Sequence, residues 1–129
     1  MSKNDLKIRL KIELPDGVRL GYGKIDLLRA VNREQSISAA ARSMGMSYRR
    51  AWLLLEELNS SFTAPVVETR MGGSGRGGAS LTKMGAKIIA LYENAEAKAD
   101  AALGDVLGKI EAELATSATG EKDRPKDGA

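Results

Sequence analysis

The chain has 129 residues, of which 43% are hydrophobic and only 4% aromatic, and its formal net charge at pH 7 is +3. These values fit one soluble domain of ordinary size with extensions and a small core of aliphatic side chains. The sequence contains no cysteine and no histidine, which excludes disulfides and the usual zinc ligands and removes the commonest general base. We therefore expect no enzyme activity, no metal centre and no cofactor.

The first predicted element is a strand from Leu6 to Leu14, in which aliphatic and charged residues alternate without error. Such alternation is typical of a half-buried strand with one apolar face and one charged face. Pro15-Asp16-Gly17 predicts a turn, Val18–Leu20 a short return strand, and Gly21-Tyr22-Gly23 a break. The spacing of the aliphatic residues then predicts the first helix from Lys24 to about Arg33.

The amino-terminal run MSKNDLKIRLKIEL mixes charged and aliphatic residues and has no continuous apolar stretch, unlike a signal peptide. No segment of the chain approaches the roughly 18 consecutive apolar residues that a membrane span needs. We therefore expect a cytoplasmic protein with no membrane contact.

The segment from Ser36 to Asn59, SISAAARSMGMSYRRAWLLLEELN, predicts two short helices joined by a tight turn. Ser38 is the candidate cap of the first helix, and Ser47 is the candidate cap of the second. Gly45 ends the first helix because glycine adopts the left-handed conformation at low cost. Small alanines in the first helix allow the two helices to approach closely. This pattern is typical of the helix-turn-helix of DNA-binding proteins, whose second helix lies in the major groove.

The second of these helices carries an apolar stripe that we expect to face the core. The stripe consists of Ala51, Leu54, Leu55 and Leu58. Trp52 lies beside the stripe, and we favour packing over stacking on DNA for its side chain. Leu53 is expected to point partly outward, where it contacts either a thymine methyl group or another subunit.

The start of the same helix holds the candidate DNA-reading residues. Arg49 or Arg50 can make a bidentate contact to guanine, whereas Ser47 and Tyr48 suit phosphate contacts beside the amides of the helix start. Adjacent arginines point about 100° apart on a helix, so we do not expect both to read bases. The alternative is a solvated, charged helix start that binds nothing.

A hairpin is predicted next, with strands at Val66–Met71 and Ala79–Thr82 and a glycine-rich tip at Gly72–Gly78. The tip lacks the Gly-Lys-Ser/Thr sequence of a phosphate-binding Walker loop. Arg76 suits a minor-groove or phosphate contact from the tip, with a mobile turn that binds nothing as the alternative. A hairpin directly after a helix-turn-helix is the wing of a winged-helix domain.

The basic residues are concentrated in this half of the chain. Seven of them lie between Arg42 and Lys87, against three acidic residues, and such asymmetry suits a nucleic-acid face. Arg70 and Lys83 belong to this set and complete the candidate DNA contacts.

Thr82 is predicted to cap a long final helix that runs to about Ala115, and Gly104 and Gly108 weaken its far end. At 1.5 Å per residue a helix of about 30 residues extends ~45 Å, so its apolar stripe is too long for one small domain to bury. The stripe is either intramolecular core or the seam of a homodimer, and we favour the seam for its second half. The candidate dimerisation residues are Leu91, Leu103, Val106, Leu107, Ile110 and Leu114.

Three runs, SISAAARSMGMSYRRAW, ETRMGGSGRGGASLT and KMGAKIIALYENAE, resemble the amino-terminal DNA-binding domain of the ModE family of molybdate-responsive regulators. The helix-turn-helix is more distantly similar to that of LysR-type regulators. The likeness runs from about Lys24 to Ala95 and implies operator binding. We do not expect the family's carboxy-terminal oxyanion-binding domains here, because Thr116-Ser117-Ala118 leads into a polar tail. Tight molybdate binding is therefore not expected either.

The sequence thus predicts a mainly α protein with a small β-sheet: a winged helix-turn-helix with a long carboxy-terminal dimerisation helix. Residues 1–115 form this domain, with the final helix at about 83–115, and residues 116–129 are expected to be a disordered tail. We expect a homodimeric transcriptional regulator that binds a two-fold symmetric operator in double-stranded DNA. The alternative is an adaptor that uses the same scaffold to bind another protein, and the arginines on the second helix and wing favour DNA.

Overall fold

Three short helices meet through small and aliphatic side chains and form the centre of the fold. The computed structural model describes residues 6–71 and 77–115. Helix α1 spans Tyr22–Glu34, α2 spans Ile37–Ser43 and α3 spans Tyr48–Ser61. The core between them is lined by fully buried aliphatic residues, which include Ile25, Leu27, Leu28, Val31 and Leu58.

Alanines at the contact of α2 with α3 explain how the two helices pack so closely. Ala40, Ala41 and Ala51 are almost completely buried, with at most 2% of each residue exposed. A larger side chain at any of these positions would force the two helix axes apart, because interaxial distance follows the size of the contacting residues. Close packing therefore fixes the angle at which α3 is presented.

Hydrogen bonds and one left-handed glycine define the helix-turn-helix. The Ser36 hydroxyl accepts a hydrogen bond from the amide of Ala39 at 3.1 Å, so Ser36 caps α2 and the prediction of Ser38 is wrong. The prediction for the second helix is confirmed, since the Ser47 hydroxyl accepts from the amide of Arg50 at 3.0 Å. Gly45 has a φ of +67°, which allows the sharp turn between α2 and α3.

An amino-terminal hairpin, β1 at Lys11–Glu13 and β2 at Arg19–Gly21, precedes α1. The two strands pair antiparallel, with Ile12 opposite Leu20. The predicted strand from Leu6 to Leu14 is thus too long, and its apolar face is only partly buried, because β1 pairs with a single three-residue partner. Ile12 is 39% exposed, whereas Leu20 joins the core.

The break predicted at Gly21-Tyr22-Gly23 is wrong, because α1 begins at Tyr22 with Gly21 as its N-cap residue. Glycine is acceptable at an N-cap, so the glycine pair marks the start of a helix here.

The wing consists of β3 at Val67–Arg70 and β4 at Gly78–Leu81, each within one residue of its predicted bounds at either end. The strands pair antiparallel, with Val67 opposite Leu81 and Arg70 opposite Gly78. Residues 72–76 of the predicted glycine-rich tip lie outside the described residues, as does the predicted tail at 116–129.

The last helix, α4, spans Lys83–Ala112 and begins as predicted, because the Thr82 hydroxyl accepts a hydrogen bond from the amide of Gly85 at 3.0 Å. It ends three residues earlier than predicted, and the next amides bond three residues back, as in a tightened last turn. In the first half of α4, the hydroxyl of the buried Tyr92 donates to the carbonyl of Leu10 at 2.7 Å. Burial raises the pKa of this hydroxyl, and the charge of Glu96 raises it further.

The fold is therefore a mainly helical winged helix-turn-helix with two small antiparallel sheets. Backbone contacts divide the chain into two units, residues 9–96 and the two chain ends together. The winged helix-turn-helix lies within residues 9–96. None of the helices in the described ranges is both long enough and apolar enough to cross a membrane.

We predict opposite effects of alanine at two glycines of α4. A Cβ atom at the buried Gly85 would collide with the carbonyl oxygen of Val66 and the side chain of Leu81, so Gly85→Ala should destabilise the fold by ~1–3 kcal/mol. A Cβ at Gly104 meets nothing within 4 Å, so Gly104→Ala should be neutral or stabilise by up to ~1 kcal/mol. Urea unfolding measures both variants, and equal effects would contradict this packing of α4 against Val66 and Leu81.

Candidate nucleic-acid interface

Helix α3 presents three different faces to its surroundings outside the core. Residues four apart on a helix lie on the same side, and one residue turns the direction by about 100°. Tyr48 and Trp52 line a groove beside the wing, while Arg50 and Leu54 line a separate cleft beside the amino-terminal hairpin. By the same helical geometry Arg49 lies on the face between them, opposite the buried Ala51 side.

The groove beside the wing has a volume of about 380 Å³ and is bounded by α2, α3 and both wing strands. Its lining includes Tyr48, 53% exposed, and Trp52, 42% exposed. The packing expected for Trp52 is incomplete, because its side chain lies about 100° from the buried stripe and almost half of its surface remains exposed. The groove thus offers two aromatic side chains to a ligand.

Arg70 lies at the wing side of this groove, at the end of β3. Its guanidinium donates to the Ser80 hydroxyl at 3.1 Å and lies directly over Gly78, where a Cβ atom would come within 2.5 Å of it. Glycine at this position therefore leaves room for the guanidinium against the wing. The remaining N–H donors of Arg70 are available to an anion.

The cleft on the other side of α3 has a volume of about 410 Å³. Across it, Arg50 and Leu54 of α3 face the basic residues of the hairpin and of the segment just before β1. These are Arg9, Lys11 and Arg19. In the sequence, Arg50 is grouped with Arg49 at the start of the second helix, and the hairpin is not among the predicted contacts. The charged face of the alternating strand is the one sequence feature that indicates a basic surface there.

Arg49 and Arg50 of α3 and Arg70 of the wing differ from Arg29 and Arg33, which both pair with acidic side chains. Arg29 donates to Glu93 at 2.6 Å, and this hydrogen bond raises the pKa of the Arg29 guanidinium. Among residues 6–71 and 77–115, no ion pair involves Arg49, Arg50 or Arg70. No intramolecular salt bridge therefore has to break when these three cationic side chains bind an anion.

The remaining candidate residues lie in different places. Ser47 is used as the α3 cap and remains exposed, and Leu53 is 47% exposed, as predicted. Lys83 is exposed at the first position of α4. Arg76 falls in the tip, outside the described residues.

Asn59, which the sequence analysis did not single out, joins α3 to the wing. Its side-chain oxygen accepts hydrogen bonds from the amides of Val66 at 2.8 Å and Val67 at 3.1 Å. Its nitrogen donates to the carbonyl of Val67 at 3.3 Å. The amide of Ala79 also donates to the carbonyl of Gln35 at 3.1 Å, which joins β4 to the α1–α2 turn. The wing is thus held at a fixed position beside α3.

A family comparison matches this region of the chain. Residues 23–86 match the bacterial regulatory helix-turn-helix protein family, lysR family. The matched range contains α1 except its first residue, together with α2, α3 and both wing strands.

Curated relatives share the same region. The chain is 47% identical to the molybdenum-pterin-binding protein MopB of Rhodobacter capsulatus over 81 residues, which is 63% of this chain and 30% of MopB. It is 35% identical to MopA of the same organism over 87% of this chain and 42% of MopA. It is 36% identical to the DNA-binding transcriptional dual regulator ModE of Escherichia coli over 67% of this chain and 33% of ModE. The chain thus spans well under half the length of the relatives it matches.

We predict that the Asn59 side chain is required for stability. Asn59→Ala leaves two amides at the start of β3 without their acceptor and should cost roughly 1–3 kcal/mol. Asn59→Asp keeps the acceptor and loses only the donor, so it should cost less. The control is Ser60→Ala, whose exposed side chain makes no hydrogen bond within the described residues. A urea unfolding series in which all three variants behave alike would contradict this role.

Proposed function

We propose that this chain, whose residues 23–86 form a helix-turn-helix domain of the lysR family of bacterial regulators, is a sequence-specific DNA-binding transcriptional regulator. The observation that carries the proposal is the outward face of α3. It places unpaired arginines at the start of the helix that enters the major groove in this fold.

Arg49 is the proposed base-reading residue. Its position opposite the buried side of α3 directs it to the floor of a groove that α3 enters, and its planar guanidinium suits the two acceptors of guanine. Ser47 and Tyr48 would contact phosphates at the edge of the groove, and Leu53 would meet a thymine methyl group.

The wing would contact the adjacent backbone. Arg70, held against Gly78 and Ser80, is the proposed contact from β3, and Lys83 at the start of α4 adds a second cation. Arg76 remains the proposed contact from the tip. Contacts of this kind are insensitive to sequence and set the orientation of the protein on the duplex.

We also propose that the second half of α4 forms the homodimer. Leu103, Val106 and Ile110 are 41–50% exposed, and Leu114 is 51% exposed. Leu103, Leu107, Ile110 and Leu114 follow each other at spacings of four, three and four, the repeat of a two-helix seam. Leu91 is 53% exposed and would extend the contact towards the start of the helix. A dimer would place two copies of α3 on a two-fold symmetric operator.

The relatives motivate a proposal about the regulated pathway. MopA and MopB are named as molybdenum-pterin-binding proteins, and ModE of Escherichia coli as a transcriptional dual regulator. We propose that this chain acts on genes of molybdate metabolism.

We predict that Arg49→Ala relaxes the base preference of the protein at one position of its site. Loss of one bidentate contact should cost ~1–3 kcal/mol of discrimination, because the preferred base no longer finds its two donors. Competition binding on a duplex that the protein itself selects from a random pool measures this. Lys98→Ala, which removes the same charge from an exposed position of α4, should leave the preference unchanged. An unaltered preference in a folded Arg49→Ala variant would contradict the proposed role.

We predict that glutamates at Leu103 and Ile110 split the dimer. Burial of one leucine or isoleucine contributes ~1.5–3 kcal/mol, and a buried charge removes that gain on both subunits. Sedimentation equilibrium should show a dimer for the parent and a monomer for the double variant, with unchanged unfolding of residues 9–96.

The matched control for the dimer places glutamates at Ala101 and Ala112. These exposed positions lie about 160–180° around the helix from Leu103, so they should leave the dimer intact. A parent protein that is monomeric would remove the dimer from the account.

A further inference from the structure

The cleft between α3 and the amino-terminal hairpin is rimmed by positive charge. Arg9, Lys11 and Arg19 contribute its hairpin side and Arg50 its α3 side, and no acidic residue lines it. Lys24 also lines the cleft, but its ammonium group is already used, because it donates to the Arg19 carbonyl at 2.7 Å and pairs with Glu57 at 3.1 Å.

We propose that Arg9, Lys11 and Arg19, here called the hairpin strip, bind the phosphate backbone of DNA on the side of α3 opposite the wing. The inference rests on the proposed function, since it assigns a second backbone contact to the same DNA-binding face. It makes the amino-terminal hairpin part of that face.

The direction of the hairpin supports this assignment. Its basic end lies beside Arg50, in the first turn of α3. Its turn at Pro15 and Asp16 lies beside the later part of α3, where Glu56 and Glu57 line the same surface pocket. Positive charge is therefore next to the helix start that enters the groove, and negative charge is kept further along the helix.

A helix in the major groove has a phosphate backbone beside each of its two flanks. The major groove is about 12 Å wide and has a phosphate backbone on both sides. If the wing contacts the backbone on one side through Arg70, the opposite backbone lies on the side of the hairpin strip. Arg50, which lines the cleft, would then contact this second backbone while Arg49 reads bases.

The hairpin strip is also ordered before it binds. The Arg9 guanidinium carbon lies 4.1 Å from the centre of the Tyr22 ring, a stacking arrangement that leaves the edge donors free for phosphate. Lys11 and Arg19 project from paired strand positions, Lys11 opposite Gly21 and Arg19 opposite Glu13. Binding of these residues to DNA therefore costs less backbone entropy than the binding of a mobile arm, which must first become ordered.

The salt dependence of binding tests the hairpin strip. Each phosphate contact contributes about 0.9 to the slope of log K against log salt concentration. The double variant Lys11→Gln/Arg19→Gln should therefore reduce the magnitude of the parent slope by about 1.8 on a fluorescein-labelled mixed-sequence duplex. It should weaken binding to all sequences alike and leave the preferred base at each position unchanged.

Two matched variants accompany this measurement. Lys98→Gln/Lys109→Gln removes the same charge from exposed positions of α4 and should keep the parent slope. Lys11→Arg/Arg19→Lys keeps both positive charges and should also keep the salt slope of the parent. Urea unfolding checks that the hairpin variant is folded.

The outcomes are distinguishable. If the parent binds the duplex and the folded hairpin variant has the same salt slope, the proposed contact by the hairpin strip is wrong. The proposed function stays in place. An equal fall in the salt slope for the α4 control would also contradict the proposed contact. The loss of net charge alone would then explain the effect. A parent that binds no duplex refutes the proposed function itself.

Discussion

The paired hydrogen bonds of Asn59 to the start of β3 are the constraint on which the proposed DNA-binding face depends. They join the end of α3 to the wing through the amides of Val66 and Val67, at a place where the chain has only a short loop. Thr82 adds to this join, because its amide donates to the Val66 carbonyl at 2.9 Å and its hydroxyl to that of Pro65 at 2.6 Å. The groove between Tyr48, Trp52 and Arg70 exists because α3 and the wing are fixed to each other in this way.

The packing of α3 against the small core also determines which of its residues are exposed. Alanines between α2 and α3 bring the helices close, and Gly45 allows the turn between them. Because α3 is buried on one side only, its other residues divide between the wing groove, the outward face and the hairpin cleft. The two adjacent arginines therefore have different surroundings: Arg49 faces outward, and Arg50 faces the hairpin.

Much of the fold was predictable because it follows from local periodicity and capping. The helix spacing, the Ser47 and Thr82 caps and the wing strands each depend on residues near in sequence. The Ser36 cap was missed because Ser36 and Ser38 fit the pattern equally well. The length of β1 was overestimated, since alternation reports which residues are apolar and not how many partners the strand finds.

The candidate site was predictable only in part. The residue types at the start of α3 indicate a DNA contact, but the sequence does not say which flank each arginine occupies. Asn59 was missed because its function is to bond a segment seven and eight residues later, which no periodic pattern signals. The hairpin strip was missed because its charges looked like an ordinary solvated strand face. Tertiary contacts decide all three points.

Selection of duplexes from a random-sequence pool by the unmodified protein, followed by sequencing of the bound fraction, tests the central claim most directly. The account predicts enrichment of two inverted half-sites whose centres lie about 10–10.5 base pairs, or a multiple of that, apart, because two copies of α3 would meet one face of the duplex. A bound fraction with no enriched sequence, or with a single unpaired half-site, would contradict the account of a dimeric regulator that reads DNA through α3.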